Sequence, residues 1–184
     1  MRKSSATAST EVTVLILDAA WKRSLPHVKT LAHRAADAAL ASAPPAIAIS
    51  CPVELSIVLV DDNYSRELNR QYRCCDTPTN VLSFASQEAS DPSEPANPLQ
   101  LGDVVLSRET LERESAEQHK PLPNHFCHLV VHGVLHLLGF DHQSEPQASE
   151  MEAFEVSVLS TLGIGDPYRP YPTIDDPPVI AGHE

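Results

Sequence analysis

Three histidines share a short segment with the spacing of a metal site. His132 and His136 are four residues apart, so on a helix their imidazoles project from one face, one turn apart. Gly139 can end that helix in a left-handed conformation and turn the chain back, which brings His142 to the same point. Zinc prefers four tetrahedral ligands, so three imidazoles leave one position for water or substrate. The spacing predicts a catalytic zinc site that holds one ion per chain.

The same spacing occurs in the metzincin proteases, but those enzymes carry a glutamate directly after the first histidine as general base. Here that position is Gly133. A peptidase without its base is a poor candidate. A metallohydrolase of peptides or small molecules is therefore an alternative and not the leading hypothesis.

The helix that carries the pair is predicted over 123–138 and is apolar nearly all round, which is typical of a buried helix. His125 and His128 lie on the same stripe as His132 and His136. They could orient the metal ligands through hydrogen bonds, or they could equally cap an exposed helix end. The sequence leaves both alternatives open.

Length and composition fit one soluble domain. The chain has 184 residues, of which 42% are hydrophobic and 21% charged. We predict a flexible leader at 1–10, a single catalytic metal-binding domain at 11–168 and a tail of low order at 169–184. The N-terminus shows no apolar signal core, and no segment approaches the roughly 18 apolar residues of a membrane span. We expect a cytoplasmic protein with no membrane partner.

The net charge of −12 argues against a surface that binds nucleic acid all over, since phosphates are neutralised by lysine and arginine. A local basic groove remains compatible with it. Arg66, Arg70 and Arg73 recur along one helix face, although such a stripe is usually a solvated surface. The four cysteines have no C-x-x-C spacing, which favours reduced thiols, and vicinal Cys74 and Cys75 are interpreted as incidental residues of a turn.

Strands and helices alternate early in the chain, and helices dominate later. We predict strands at 12–17, 53–60, 81–84 and 102–107, helices at 27–41, 62–72, 123–138 and 146–162, and a further helix capped by Ser107. The segment Asp61-Asp62-Asn63 offers the N-cap of the helix at 62–72. Residues 86–98 lack periodicity and are predicted as a mobile exposed loop. The expected fold class is α+β, or mixed α/β: a single domain with a small sheet covered by helices around a buried, histidine-bearing helix.

Three segments together resemble the signatures of the bacterial YbeY family, the rRNA maturation factors. The first is His132-Gly133-Val134-Leu135-His136-Leu137-Leu138-Gly139-Phe140-Asp141-His142. The second is Leu68-Asn69-Arg70-Gln71-Tyr72-Arg73 followed by Asp76-Thr77-Pro78-Thr79-Asn80-Val81-Leu82-Ser83-Phe84, and the third is Leu101-Gly102-Asp103-Val104-Val105. The resemblance covers roughly residues 54 to 168, and three motifs in order are far more specific than one.

The resemblance implies a metal-dependent endoribonuclease, specific for single strands, that acts in 16S rRNA 3′ end maturation and ribosome quality control. It implies His132, His136 and His142 as zinc ligands and Arg73 as the arginine of the active-site cleft. Its implied partners are rRNA, the small ribosomal subunit and ribosome-associated proteins. One departure is Cys75, which stands where the family often has a lysine, so one candidate phosphate contact is missing.

The leading interpretation is thus a zinc-dependent endoribonuclease that acts on rRNA. Beside the metzincin-like hydrolase, a second alternative is a non-catalytic ribosome-associated factor in which zinc only braces the fold. Because position 133 is not glutamate, the general base is metal hydroxide, another side chain or the 2′-hydroxyl of the substrate. The sequence does not decide among these three, and it leaves the oligomeric state open.

Overall fold

A computed structural model of the protein describes residues 10–43, 52–86 and 98–170. Within this part of the chain, one sheet contains β1 (Thr10–Ile16), β2 (Val53–Val60), β3 (Val81–Ala85) and β4 (Leu99–Ser107), in the order β1-β2-β4-β3. The first two neighbouring pairs are parallel, and β3 runs antiparallel to β4, with Val81 opposite Leu106. Residues 1–9 of the predicted leader, 171–184 of the predicted tail and 87–97 of the predicted loop lie outside the described residues. Thr10, the last residue of the predicted leader, instead begins β1.

Six helices surround this sheet in the described ranges. They are α1 (Trp21–Ser24), α2 (Val28–Ala41), α3 (Asp62–Arg73), α4 (Arg108–Glu117), α5 (Leu122–Leu137) and α6 (Glu145–Thr161). The predicted fold class, a small mixed sheet covered by helices in a single domain, is confirmed.

The short helix α1 was not predicted, because four residues are too few to show a helical period. Tertiary contacts of Trp21 hold it in place. The indole Nε1 donates a hydrogen bond of 2.9 Å to the carbonyl of Val60, and the ring packs edge-on against Phe126 at a centroid distance of 5.6 Å. Helix α1 is therefore stabilised by burial of this aromatic side chain and not by the intrinsic helix propensity of its four residues.

The two faces of the sheet form separate apolar clusters, because alternate residues of a strand point to opposite faces. In β4, Val104 and Leu106 belong to the large core under α2 and α5. Val105 instead belongs to a smaller cluster with Val60 and Leu82, against which Leu68 of α3 packs.

Helix α5 lies at the centre of the large core, where it contacts α2, α4, α6, β3 and β4. Eleven of its residues are buried, as its apolar sequence predicted. The central position fixes the axis of the helix, and with it the direction in which its histidines project.

The start of α4 differs from the prediction. Ser107 occupies the N-cap position but makes no capping hydrogen bond. Its hydroxyl instead donates to Asp62 Oδ1 at 2.6 Å, and the same oxygen accepts the backbone N–H of Thr110 at 3.0 Å. A carboxylate from α3 therefore caps α4, a tertiary contact that the local sequence does not reveal. The predicted cap of α3 is confirmed, since the side chain of Asp61 accepts the backbone N–H of Tyr64 at 2.8 Å.

Gly133 is the point at which α5 comes closest to the sheet. A Cβ at this position would lie 2.5 Å from Val104 Cγ1 and 3.1 Å from Ser83 Oγ. Val104 is fully buried and stiff at χ1, so it cannot move aside easily. Position 133 has no room for a glutamate side chain, and it faces the sheet.

We expect Gly133→Ala to destabilise the protein. Overpacking a core costs about 1–3 kcal/mol, which exceeds the roughly 1 kcal/mol that alanine gains over glycine as a helix former. Urea denaturation measures the difference. Gly165→Ala is the control, because a Cβ there meets no described atom within 4 Å. A Gly133→Ala protein as stable as the Gly165→Ala protein would show that the close approach is not required.

Candidate metal centre

The structure brings the three predicted histidines together at the C-terminal end of α5. His132 and His136 project from one face of the helix, and Gly139 follows with a φ of 92°, the left-handed turn that the sequence predicted. The chain then returns, so that one nitrogen from each of His132, His136 and His142 lies within 4.8 Å of the other two.

The hydrogen bonds of the two helical histidines fix which nitrogen faces the centre. His136 Nδ1 donates to the carbonyl of Phe140 at 3.0 Å, and His132 Nδ1 donates to the carboxylate of Glu155 at 2.7 Å. In a neutral imidazole the other nitrogen then carries a lone pair. The two Nε2 atoms consequently face each other as acceptors, 3.1 Å apart.

Two acceptor nitrogens at this separation repel each other unless a cation lies between them. Two ligands of a tetrahedral zinc, each bound at 2.0–2.1 Å, are about 3.3 Å apart, close to the observed separation. The donor set of three imidazoles suits zinc, copper, iron and nickel. These residues fit a metal ion, and the triad could hold one.

Glu155 of α6 lies behind the triad and is fully buried. Its Oε1 accepts His132 Nδ1, while its Oε2 accepts His128 Nε2 at 2.7 Å and the hydroxyl of Tyr168. Burial by itself would raise the pKa of Glu155, but the hydrogen bonds from these three side chains and the charge of His128 lower it to about 2. The carboxylate is therefore ionised at neutral pH.

A second buried polar group lies farther along α5. His125 Nε2 donates to Glu114 Oε2 at 2.9 Å, and the same oxygen accepts the side-chain amide of Asn80 at 2.9 Å. Both His125 and His128 are buried, so neither caps an exposed helix end. The other role left open by the sequence was to orient the metal ligands. Of the two histidines, only His128 is linked to a candidate ligand, because Glu155 accepts hydrogen bonds from both His128 and His132.

The triad opens into a cleft of about 690 Å³ between α5, the strand β3 and the end of α3. Arg73, the last residue of α3, lines this cleft together with Asn80 and Ser83. Arg66 is paired with Asp76 at 2.8 Å, and Arg70 with Glu67 at 2.8 Å. Among the described residues, no acid pairs with Arg73. Of the three arginines in the stripe, Arg66 and Arg70 are therefore paired with acids, whereas Arg73 lines the cleft.

The pKa of His136 is lowered from its usual 6.5, chiefly by burial and then by the neighbouring His132. Both effects disfavour the imidazolium. His136 therefore keeps a neutral ring, which metal binding requires, to lower pH than an exposed histidine would.

Acid is expected to destabilise the protein within a window set by Glu155. A carboxyl whose pKa is lower in the folded chain contributes stability that is complete above its unfolded pKa and is lost toward the folded one. For Glu155 these values are 4.5 and about 2. We expect the unfolding free energy of chelator-treated protein, measured with urea, to decrease as the pH falls below 4.5. The decrease should be smaller in Glu155→Gln, and equal decreases in variant and parent would contradict this origin.

Sequence reasoning missed Glu155 and Tyr168. The buried stripe of α6 contains Met151, Glu155, Val158 and Leu159, and a glutamate among apolar residues at helical spacing was a readable signal. Tyr168 gave none, because it follows the helix in a segment rich in proline and polar residues.

Cys74 and Cys75 lie in a turn, as predicted. Cys74, Cys75 and Cys127 are free, and Cys51 lies outside the described residues. Cys74 ends α3 with a positive φ of 55°, and Cys75 Sγ lies 3.2 Å from Thr77 Oγ1. Both are parts of the turn that leads to β3.

Comparisons with known proteins give one family. The family described as Endoribonuclease YbeY matches residues 5–163. A protein of that description from Paramagnetospirillum magneticum is 49% identical over 166 residues, which are 88% of this chain and 98% of that protein. One from Azorhizobium caulinodans is 46% identical over 158 residues, 86% of this chain and 96% of that protein.

The fold is similar to the solution structure of a Thermotoga maritima protein. The TM-score is 0.50 and the identity 21%, over 86% of this chain and 99% of that one. At this identity the likeness supports the fold alone. In the described part of the chain, none of the helices combines the length and apolarity needed to cross a bilayer.

Proposed function

The chain belongs to the YbeY endoribonuclease family, and from this premise we propose that it is a zinc-dependent, single-strand-specific endoribonuclease that matures the 3′ end of 16S rRNA. One observation carries the proposal: three convergent imidazoles line the same open cleft as Arg73, which has no acidic partner among the described residues. The three histidines belong to the segment His132 to His142 and the arginine to the segment Leu68 to Phe84, both of which resemble YbeY signatures.

His132, His136 and His142 would hold the zinc ion through neutral imidazole nitrogens. A zinc ion held there would supply Lewis acidity toward a phosphoryl oxygen of the scissile bond. The hydrogen bonds to Glu155 and to the carbonyl of Phe140 keep the Nδ1 protons of His132 and His136 in place, so that these Nε2 atoms are the ones available to the metal.

Arg73 would bind a phosphate oxygen pair of the RNA backbone. A guanidinium presents a planar fork of donors that matches phosphate geometry. Arg66 and Arg70 are less suited to this role, because their guanidinium groups already donate to Asp76 and Glu67. The missing family lysine at Cys75 makes Arg73 more important for phosphate binding in this chain.

The metzincin-like alternative finds less support. In that class the residue after the first histidine is the general base, whereas here position 133 packs against Val104 and has no space for a side chain. The ribosomal context, with rRNA and the small subunit as partners in the cytoplasm, is proposed from the family resemblance.

Dialysed protein reconstituted with zinc tests the proposal. We expect it to cleave a single-stranded rRNA fragment, to leave duplex RNA and casein intact, and to lose cleavage after chelation. Digestion of casein without RNA cleavage would favour the metallohydrolase. Binding of RNA with no cleavage, in protein repurified until contaminating nucleases are gone, would favour a zinc-braced binding factor. In cells that lack the gene, mapping of rRNA ends should show unprocessed 16S 3′ ends.

Binding of the isolated chain to RNA is expected to be weak and to depend on few phosphate contacts, since the net charge is −12. Each neutralised phosphate contributes about 0.7 to the slope of log affinity against log salt for single strands. Arg73→Ala should therefore reduce that slope by about 0.7, whereas Arg70→Ala should leave it unchanged because Glu67 already engages Arg70. Tight binding that is insensitive to salt would contradict this view.

A further inference from the structure

We propose that Glu155 and Tyr168 are positioning residues for the metal centre: the Glu155 carboxylate orients His132 toward the ion and acts as its counter-charge, and the Tyr168 hydroxyl holds that carboxylate in place. The inference rests on the metal site proposed above. It assigns a role to two residues that lie outside the histidine motif and are not among the candidate metal ligands.

The geometry gives each carboxylate oxygen a separate task. Among the described residues, Oε1 accepts a single hydrogen bond, from the Nδ1–H of His132 at 2.7 Å, and this bond fixes both the tautomer and the ring orientation of the ligand. Oε2 accepts His128 Nε2 at 2.7 Å together with the Tyr168 hydroxyl. Two donors on Oε2 lock the plane of the carboxylate, so that Oε1 stays aligned with His132.

The charge of Glu155 lacks a permanent cationic partner. The side chain is fully buried, and within residues 10–43, 52–86 and 98–170 its ion-pair partners are the histidines His128 and His132, with no lysine or arginine among them. A buried carboxylate is costly unless an opposite charge compensates it. A divalent cation bound to His132 provides that charge on the other side of the same imidazole ring. Carboxylate, imidazole and metal then form the arrangement in which the carboxylate raises the basicity of the ligand.

Tyr168 links the segment after α6 to this arrangement. The residue is 46% exposed, its ring packs edge-on against His128 at a centroid distance of 5.6 Å, and its hydroxyl donates a hydrogen bond to Glu155. Burial, and then the hydrogen bond to the Glu155 carboxylate, raise the pKa of Tyr168, so the hydroxyl remains a donor at neutral pH. Because Tyr168 is an exposed residue and does not belong to the apolar core, removing its hydroxyl alone should leave the core intact.

Metal affinity, measured by competition with a chromophoric chelator for zinc, tests the proposal on the full chain. Glu155→Gln is expected to weaken zinc binding by about 10- to 100-fold, the usual effect of losing such an outer partner. Tyr168→Phe, which keeps the ring, is expected to weaken it by about threefold to tenfold. Glu114→Gln is the matched control, since Glu114 accepts a histidine of the same helix, His125, but contacts no candidate ligand.

Cobalt substitution supplies a second signal that a purely structural role would not change. We expect the visible absorption of the cobalt form to shift in Glu155→Gln and to match the parent in Glu114→Gln. Should Glu155→Gln fail to fold, Tyr168→Phe still decides the question by the same two measurements. Parental zinc affinity and parental cobalt spectra in folded Glu155→Gln, or in Tyr168→Phe, would overturn the proposal.

These measurements do not use RNA, so the two hypotheses can fail separately. A parent protein that binds zinc with the expected dependence on Glu155 but cleaves no RNA would contradict the proposed function and support the positioning role. If the parent cleaves RNA but Glu155→Gln binds zinc as tightly as the parent does, only the positioning role is overturned.

Discussion

His136→Ala is expected to abolish both metal binding and RNA cleavage. His136 Nε2 lies 3.1 Å from His132 Nε2, and removing one of the two leaves only two imidazoles of the triad. Two monodentate ligands hold a divalent ion weakly, so elemental analysis of protein purified without chelator should fall from one zinc per chain to a small fraction. Since metal assistance is worth several kcal/mol of activation energy, cleavage should decrease by about a thousandfold.

The structural cost of this substitution has to be separated from its chemical cost. His136 also donates to the carbonyl of Phe140 at 3.0 Å, so the turn after α5 loses one hydrogen bond, worth about 1 kcal/mol. Thermal melting in chelator measures this cost without metal. His33→Ala is the control, because His33 is exposed on α2 and lies outside the cleft. A His136→Ala protein that keeps a full equivalent of zinc would refute the ligand assignment.

The histidine triad was predictable because it is local. The period of the helix places residues four apart on one face, and Gly139 supplies the left-handed turn, so eleven consecutive residues contain the whole geometry. The same locality explains why β2 is observed at the predicted residues and why the cap of α3 at Asp61 was recognised. Local rules operate within a few residues of sequence and need no knowledge of the rest of the fold.

The sequence did not reveal the contacts that tertiary packing makes between residues far apart in the chain. Glu155 reaches His132 across 23 positions of the chain, and Asp62 caps α4 across 48. No period or motif links such residues in a single sequence. The stripe of α6 indicated that Glu155 would be buried, but only the packing of α6 against α5 shows which histidines it meets.

The sequence also did not reveal which arginines of the stripe would be paired with acids. Spacing placed Arg66, Arg70 and Arg73 along one helix face, and it could not say which of them would be available. The structure separates them through their partners: Asp76 arrives from the turn after α3 and Glu67 from the helix itself. Arg73 is the member of the stripe that lines the cleft of the triad, which makes it the most informative side chain for substitution.

Arg73→Ala is expected to lower kcat/KM for single-stranded RNA by about 100- to 1000-fold, the usual effect of losing one donor to a developing negative charge. Arg73→Lys keeps the charge but loses the bidentate fork, so it should recover only part of the activity. Zinc content should remain at one per chain, because the guanidinium is no ligand. Stability should change by less than about 1 kcal/mol, since the side chain is exposed at the C-terminal end of α3 and loses only its interaction with the helix dipole.

The control for Arg73 is Arg70→Ala. It removes an arginine from the same helix face whose guanidinium is already held by Glu67 at 2.8 Å, and an exposed pair of this kind contributes about 1 kcal/mol or less. Cleavage by Arg70→Ala should stay close to that of the parent. Single-turnover rates on one rRNA fragment, measured beside zinc content and melting temperature, compare the variants directly. If Arg73→Ala melts like the parent, retains zinc and cleaves as fast as Arg70→Ala, then the phosphate is bound by other groups and the role given to Arg73 is wrong.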